Sequence, residues 1–102
     1  NIIIVDDMVD TAGTLAKAAN VLKDMGAVSV RACATHPVFS GSAYEKIANS
    51  ALEEVIVSDT IPLSNDPAKD KSKITVLTMA KMFADIIRKV YNYEEISSSF
   101  IN

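Results

Sequence analysis

The chain begins with N-I-I-I-V-D-D-M-V-D-T-A-G-T, residues 1–14, and this stretch decides the fold. Its apolar part, Ile2 to Val5, is continuous and β-branched, which is typical of a parallel strand that is covered on both faces. Two adjacent carboxylates, Asp6 and Asp7, follow this run, and a short turn of small and hydroxyl-bearing residues comes next. We therefore expect a buried strand that leads into a binding loop at its carboxyl end.

The turn after the predicted strand has the features that a phosphate monoester needs. Small residues let the backbone come close to an anion, a glycine can take a positive φ, and two threonines supply hydroxyl donors. The turn also precedes a helical pattern, whose unpaired N–H groups and positive dipole end attract anions. The predicted phosphate-binding residues are Asp10, Thr11, Ala12, Gly13 and Thr14.

The acidic pair before the turn cannot bind that same phosphate, because carboxylates repel it. Asp6 and Asp7 are placed instead to accept hydrogen bonds from hydroxyls or to hold a hydrated Mg²⁺. One ligand that carries both a phosphate and neighbouring hydroxyls would satisfy the whole stretch. The sequence therefore predicts a sugar phosphate as the ligand.

Helical and strand patterns alternate along the rest of the chain, which predicts an α/β fold of parallel strands joined by right-handed crossovers. We expect three layers, with a mainly parallel sheet between flanking helices. The last helix has an apolar face of helical period that we expect to pack as core. The predicted elements are a helix ending at the C-cap Gly26, a strand at 28–35, a helix at 43–50 with Ser42 and Glu45 at capping-box spacing, strands at 53–58 and 74–77, and a final helix capped by Thr78 with the apolar face Met79, Met82, Phe83, Ile86, Ile87 and Val90.

Composition limits the class of protein. A chain of 102 residues forms one domain at most, and 49% hydrophobic with 23% charged residues is typical of a globular protein. A net charge of −3 argues against a nucleic-acid surface. No apolar stretch approaches the roughly 20 residues that span a bilayer, and no signal peptide is visible, so we expect no membrane contact and a cytoplasmic location.

Three isolated residues with reactive side chains are interpreted mainly as structural. Cys33 has no second cysteine to pair with, and we expect a buried thiol in its apolar run. His36 precedes Pro37, so a rigid turn residue at the edge of a site or subunit is favoured over a base or metal ligand. Asp59 follows a predicted strand, where it could contact a ligand, but a turn is the favoured interpretation.

The run V-D-D-M-V-D-T-A-G-T resembles the ribose-5-phosphate loop of the type I phosphoribosyltransferase superfamily, and its surroundings are similar to the ribose-phosphate pyrophosphokinase family. Two later stretches, Thr35 to Gly41 and Ser58 to Pro62, resemble further segments of that family in the same order. The resemblance covers nearly the whole chain. It implies that residues 1–102 form the C-terminal portion of the second phosphoribosyltransferase-like domain of a longer protein, roughly its last third.

The resemblance also implies an activity, the transfer of pyrophosphate from ATP to ribose 5-phosphate to make phosphoribosyl pyrophosphate for nucleotide biosynthesis. Asp6, Asp7 and the loop residues 10–14 would bind the ribose 5-phosphate, with no catalytic residue and no metal ligand in this chain. Mg²⁺ would come with ATP, mostly through upstream residues, and the protein would assemble as a homo-oligomer, a hexamer in the family. Without those upstream residues we expect no synthetase activity from the 102-residue chain itself.

The family resemblance implies a role for the tail as well. In the family, the corresponding tail helps to form a regulatory nucleotide or phosphate site between subunits. The residues that fall in that region here are Ser97, Ser98, Ser99 and Phe100.

Two other functions stay open at this point. A strand that ends in two acidic residues is also the acid pocket of a receiver domain, a phosphoryl-accepting signalling module. The Thr-Ala-Gly-Thr turn, which a receiver does not need, and the lack of a lysine directly after the last strand weigh against it. The second alternative is a catalytically inactive, synthetase-like regulator that keeps the sugar-phosphate loop.

Overall fold

The computed structural model describes residues 1–92, apart from the side chain of Met82, and these residues form a four-stranded parallel sheet with helices. The strands are β1 (Ile2–Val9), β2 (Val30–Pro37), β3 (Leu52–Ser58) and β4 (Ile74–Leu77), in the spatial order β1-β2-β3-β4. The helices are α1 (Gly13–Asp24), α2 (Ala43–Ala48) and α3 (Ala80–Tyr91). The predicted α/β class with a parallel sheet is confirmed.

The core lies between the sheet and the two helices α1 and α2. Each strand pairs in parallel with the next one along the chain, so right-handed crossovers place both connecting helices on the same face. The largest fully buried side chains come from α2 and the two central strands, and they include Ile47, Leu52, Val30, Val55 and Val57.

The end of α1 is set by a glycine, as predicted. Gly26 has a φ of 103°, in the left-handed region that side chains disfavour. Its N–H donates to the Lys23 carbonyl at 3.1 Å, and the Ala27 N–H donates to the Leu22 carbonyl at 3.1 Å. This pair of bonds is a Schellman motif, which satisfies the last carbonyls of the helix and stops it.

The opposite face of the sheet is bare in the described residues, which corrects two expectations. Ile3 and Val5 of β1 are 67% and 78% exposed, so the prediction of a strand covered on both faces is wrong. Cys33 lies beside Val5 and Ile56 in the strand register and is exposed, so the prediction of a buried thiol is also wrong. The reason is topological, because α1 and α2 share one face of the sheet and no helix of residues 1–92 covers the other.

The helix α3 does not supply a third layer over this bare face. Phe83 and Ile87 of its apolar stripe are 50% and 69% exposed, and α3 makes little contact with the other described elements. The expectation that this stripe packs as core is therefore wrong for the described residues. An apolar period shows which side of a helix is suited to burial, but it does not show whether a partner is present.

The starts of α2 and α3 only partly follow the predicted caps. Ser42 is at the N-cap of α2 as predicted, but its side chain makes no capping hydrogen bond. The N-cap position of α3 is Met79 rather than Thr78, but the Thr78 hydroxyl does accept from the Ala80 N–H at 3.2 Å. The Asp59 carboxylate accepts from the Met79 N–H at 2.9 Å and from the Thr78 hydroxyl at 2.8 Å, so a residue from the end of β3 holds the start of this helix.

Candidate functional site

A concave opening of about 470 Å³ lies at the carboxyl end of β1 and the start of α1. Parallel α/β sheets bind ligands at this end of the strands. The opening is lined by every residue of the predicted sugar-phosphate site, namely Asp6, Asp7, Asp10, Thr11, Ala12, Gly13 and Thr14. The structure therefore brings these residues together around one opening.

The amides of the loop are available to a ligand. The helix α1 begins at Gly13, so the loop runs directly into its first turn. The Ala12 carbonyl accepts from the Ala16 N–H at 2.9 Å, whereas the N–H groups of residues 11–15 donate to no acceptor within residues 1–92. Unpaired N–H groups at a helix N-terminus, together with the positive end of the helix dipole, suit an anion.

The backbone turn of the loop is made by an alanine and not by the glycine. Ala12 has a φ of 65° and is buried, whereas Gly13 is not among the residues with positive φ. The expected left-handed glycine in this turn is therefore wrong. A Cβ added at Gly13 would lie 3.6 Å from Lys46 Nζ and 3.8 Å from Thr11 Oγ1, which are ordinary contacts. The protein has room for a side chain at position 13, so contacts within the described residues do not require a glycine there.

The acidic pair lies on one rim of the opening. Asp6 and Asp7 are both exposed, and neither forms an ion pair with another described residue. One carboxylate oxygen of Asp6 accepts from the Asp7 N–H at 2.8 Å. The remaining carboxylate oxygens are free to accept hydrogen bonds from the hydroxyls of a ligand.

The described residues do not form a complete metal site. They contain no group of three or more histidine, cysteine, aspartate or glutamate residues that could hold a metal ion. Mg²⁺ requires six oxygen ligands in near-ideal octahedral geometry. Mg²⁺ usually keeps several of its waters and is bound through one or two carboxylates together with substrate phosphates, so Asp6 and Asp7 could hold a hydrated Mg²⁺ only as part of such a set.

Two neighbours of the loop were missed by the sequence interpretation. Ser40, in the segment after β2, donates its hydroxyl hydrogen bond to the Asp10 carboxylate. Lys46 of α2 brings its ammonium group next to Gly13, and this group makes no ion pair with the other described residues. Ser40 lies in the stretch Thr35 to Gly41, whose resemblance to the family was a signal for it, although no role was assigned to that stretch. Nothing in the local sequence indicated Lys46.

The other polar residues at strand ends do not line the opening. His36 Nδ1 lies 3.0 Å from Thr60 Oγ1, and the Ser58 hydroxyl donates to the Thr35 carbonyl at 2.5 Å, which links the ends of β2 and β3. Asp59 binds the start of α3, and its hydrogen bonds from the Met79 N–H and then the Thr78 hydroxyl hold its pKa below the ordinary value. These contacts give both residues structural roles, but His36 lies within β2, so the prediction of a turn residue at that position is wrong.

The tail residues that the family resemblance assigned to a regulatory site, Ser97, Ser98, Ser99 and Phe100, lie outside the described residues. Among the described residues, no helix is long and apolar enough to cross a membrane.

Comparisons with known proteins agree on one family. The model of the phosphoribosyl synthetase-associated domain matches residues 1–101. A ribose-phosphate pyrophosphokinase from Wolinella succinogenes is 58% identical over 101 residues, which cover 99% of this chain and 31% of the relative. The corresponding protein from Campylobacter jejuni is 51% identical over 100 residues, 98% of this chain and 31% of the relative.

A solved structure agrees as well. The crystal structure of phosphoribosylpyrophosphate synthetase from Mycobacterium smegmatis matches with a TM-score of 0.80 and 42% identity, over 89% of this chain and 30% of that chain. The chain therefore spans about a third of the length of its relatives, such as 31% of the Wolinella protein. These shares measure the length of the match and not its position, so the placement in the last third of a longer protein stays a prediction. With 101 of its residues matched by the family model, the chain belongs to the family of the phosphoribosyl synthetase-associated domain.

Proposed function

We propose that this chain is the ribose 5-phosphate-binding part of a ribose-phosphate pyrophosphokinase. The observation that supports it most directly is the opening at the end of β1, where the unpaired N–H groups of residues 11–15 meet the exposed acidic pair on one rim. Amides at one end and carboxylates at the other match a ligand with an anionic group and neighbouring hydroxyls.

In this proposal the two parts of the opening have separate tasks. The N–H groups of residues 11–15 and the hydroxyls of Thr11 and Thr14 bind the 5-phosphate. Asp6 and Asp7 accept hydrogen bonds from the ribose hydroxyls and so fix the orientation of the sugar. A fixed sugar presents its anomeric hydroxyl to the pyrophosphoryl donor, and positioning of this kind is a large part of catalysis in phosphoryl transfer.

The proposal extends to the longer protein. The transfer of pyrophosphate from ATP, the Mg²⁺ that accompanies ATP, the homo-oligomer and the cytoplasmic location belong to that protein. The acidic pair orients the acceptor and does not activate ATP, so groups outside this chain supply the donor side of the reaction. A catalytically inactive regulator with the same loop would bind the sugar phosphate in the same way and would differ only in turnover.

The receiver alternative loses support from the strand order. Receiver-like sheets have the order 2-1-3-4-5, with the acidic first strand between its neighbours. In residues 1–92, β1 pairs only with β2 and lies at the edge. The acidic pair is also continuous with the amides of an anion-binding loop, which a receiver does not require.

Calorimetric titration of the full-length protein with ribose 5-phosphate and with inorganic phosphate tests the proposal. We expect Asp6→Asn to raise the Kd for ribose 5-phosphate about tenfold, since a hydrogen bond to a charged group is worth about 1.5–3 kcal/mol. The same change should leave phosphate binding unchanged or slightly stronger, because it removes a negative charge from the rim.

Asp24→Asn is the matched control. Like Asp6→Asn, it removes one negative charge, but at the end of α1 that is far from the loop. The two ends of a helix of this length are roughly 16 Å apart. This variant should bind both ligands like the wild-type protein. A wild-type protein that does not bind ribose 5-phosphate, or an Asp6→Asn variant that binds it normally, would show that the opening has another ligand.

A further inference from the structure

The segment after β2, residues 38–41, is the part of the recognised stretch Thr35 to Gly41 that the proposed ligand contacts do not explain. We propose that Ser40 is a positioning residue for the phosphate loop, which it holds through Asp10. This inference rests on the proposed function, because it concerns the shape of the same opening. It assigns Ser40 no contact with the substrate.

Three hydrogen bonds join this segment to the loop. The Phe39 N–H donates to the Val9 carbonyl at 3.0 Å, and the Ser40 N–H donates to the Asp10 carbonyl at 2.9 Å. The Ser40 hydroxyl donates to the Asp10 carboxylate. Ser40 therefore binds both the backbone carbonyl and the side chain of Asp10, the first residue of the loop.

The segment that holds the loop is itself fixed to the core. Phe39 is buried with a φ of 47°, and its ring packs edge-on against Tyr44 with ring centroids 5.1 Å apart. The hydroxyl of Tyr44 accepts in turn from the Ser64 N–H at 2.9 Å. A side chain anchored at this depth keeps its backbone in place, so Ser40 is a firm attachment point rather than part of a free loop.

Asp10 needs such an attachment because of its charge. It lines the same opening as the amides that would bind a phosphate, and a mobile carboxylate there would repel the anion. A hydroxyl that donates to this carboxylate restricts its position. It also reduces the conformational freedom that residues 10–14 would otherwise lose when the ligand binds. Ser40 therefore favours binding without touching the ligand.

Hydrogen exchange of the full-length protein without ligand is the first test. Ser40→Ala should speed the exchange of the Phe39 and residue-40 amides about fivefold, because the attachment of the loop loses one hydrogen bond. Ser42→Ala is the matched control, since Ser42 is an exposed serine two residues away whose side chain makes no capping bond. Equal exchange in the two variants would overturn the inference, whatever the ligand of the opening.

Steady-state kinetics provide the second test. Ser40→Ala should raise the KM for ribose 5-phosphate about tenfold, because a hydrogen bond to a carboxylate is lost, and should leave the KM for ATP unchanged. Ser40→Thr, which keeps the hydroxyl, should restore the wild-type value. In an Asp10→Ala background, Ser40→Ala should have no further effect, because the partner of the hydroxyl is already absent. Additive effects, or equal rises in both KM values with a lower Tm, would overturn the positioning role.

The two tests separate this inference from the proposed function. If the wild-type protein does not saturate with ribose 5-phosphate, the proposed function fails, and the positioning of a phosphate fails with it. If the wild-type protein saturates normally but Ser40→Ala behaves like Ser42→Ala in both tests, the proposed function stands and only the role of Ser40 is overturned.

Discussion

Ala12 shows how one residue shapes the candidate site. Its φ of 65° lies in a region that costs roughly 1–2 kcal/mol for a residue with a Cβ. Ala12 is also buried in the core cluster, where its methyl group contributes to packing and a glycine would leave a gap. The left-handed turn at Ala12 reverses the chain between the end of β1 and the start of α1, and it leaves the N–H groups that follow unpaired. The backbone strain at Ala12 therefore belongs to the turn of the loop itself.

Substitution of Gly13 shows whether glycine is needed at this position for ligand binding or for folding. We expect Gly13→Ala to leave Tm unchanged or to raise it slightly, because a Cβ there makes only ordinary contacts and alanine is the better helix former. The same change should weaken binding of ribose 5-phosphate by at least about tenfold, since a methyl group would stand where the anion approaches the amides. Gly13→Val should weaken binding further. Thermal unfolding and calorimetric titration of the full-length protein measure the two effects.

Gly26→Ala is the opposite case and serves as the control. A Cβ at Gly26 would meet no atom within 4 Å, but the φ of 103° strains any side chain, so we expect lower stability with normal ligand binding. If Gly13→Ala lowered Tm as much as Gly26→Ala and left binding intact, glycine at position 13 would serve the fold and not the ligand.

Among the elements, β1 shows what a local pattern can and cannot predict. The apolar run predicted its start at Ile2, but β1 continues through the polar residues to Val9 because Met8 and Val9 pair with His36 and Pro37 of β2. Because β2 lies far from β1 along the chain, the local sequence does not show where β1 ends. The seven candidate site residues lie within nine consecutive positions, 6–14, so one local pattern was enough to bring them to the same opening. Ser40 and Lys46 were not predictable in this way, because only the fold brings them to the loop.

The helix α3 depends on an aspartate from another element, and this predicts a response to pH. The pKa of Asp59 is held below its ordinary value by the Met79 N–H and the Thr78 hydroxyl. A carboxyl group with a lowered pKa stabilises the folded form above the pKa of the unfolded chain, about 4, and this contribution is lost as pH falls through the folded value. We expect the Met79 amide to lose protection as pH is lowered below about 4.

Asp59→Asn should remove that part of the pH response, because an amide does not titrate. The matched control is Asp70→Asn. The pKa of Asp70 is also lowered, first by the Ser72 N–H, but Asp70 lies in the loop between β3 and β4. Hydrogen exchange of the Met79 amide across this pH range should therefore be the same in Asp70→Asn and the wild-type protein. An unchanged acid response in Asp59→Asn would show that another group holds the start of α3.

At the scale of the whole molecule, the two faces of the sheet differ sharply. One face packs against α1 and α2, whereas the other shows Ile3, Val5 and Cys33 to solvent in the described residues. The continuous apolar run was correctly interpreted as a parallel strand, but periodicity cannot show which segments cover it. Coverage of a sheet face depends on topology and on neighbouring chain segments.

The exposed face predicts the reactivity of the thiol. In the folded 102-residue chain we expect Cys33 to react with a thiol-specific reagent at a rate within about tenfold of the urea-unfolded chain, since exposure controls access to a thiol. Circular dichroism under the labelling conditions serves as the control that the chain is folded. A rate at least a thousandfold slower than in the unfolded chain would show that this face is covered in solution.

In residues 1–92, β1 lies at one rim of the sheet and pairs only with β2. An outer strand offers a row of peptide groups onto which another chain can add by backbone pairing, and a β-branched strand of eight residues is well suited to this. Asp6 and Asp7 interrupt that row with two neighbouring negative charges. The carboxylates that would hold a sugar thus also act as gatekeepers, because a second copy of the same strand would meet its own charges there and would be repelled.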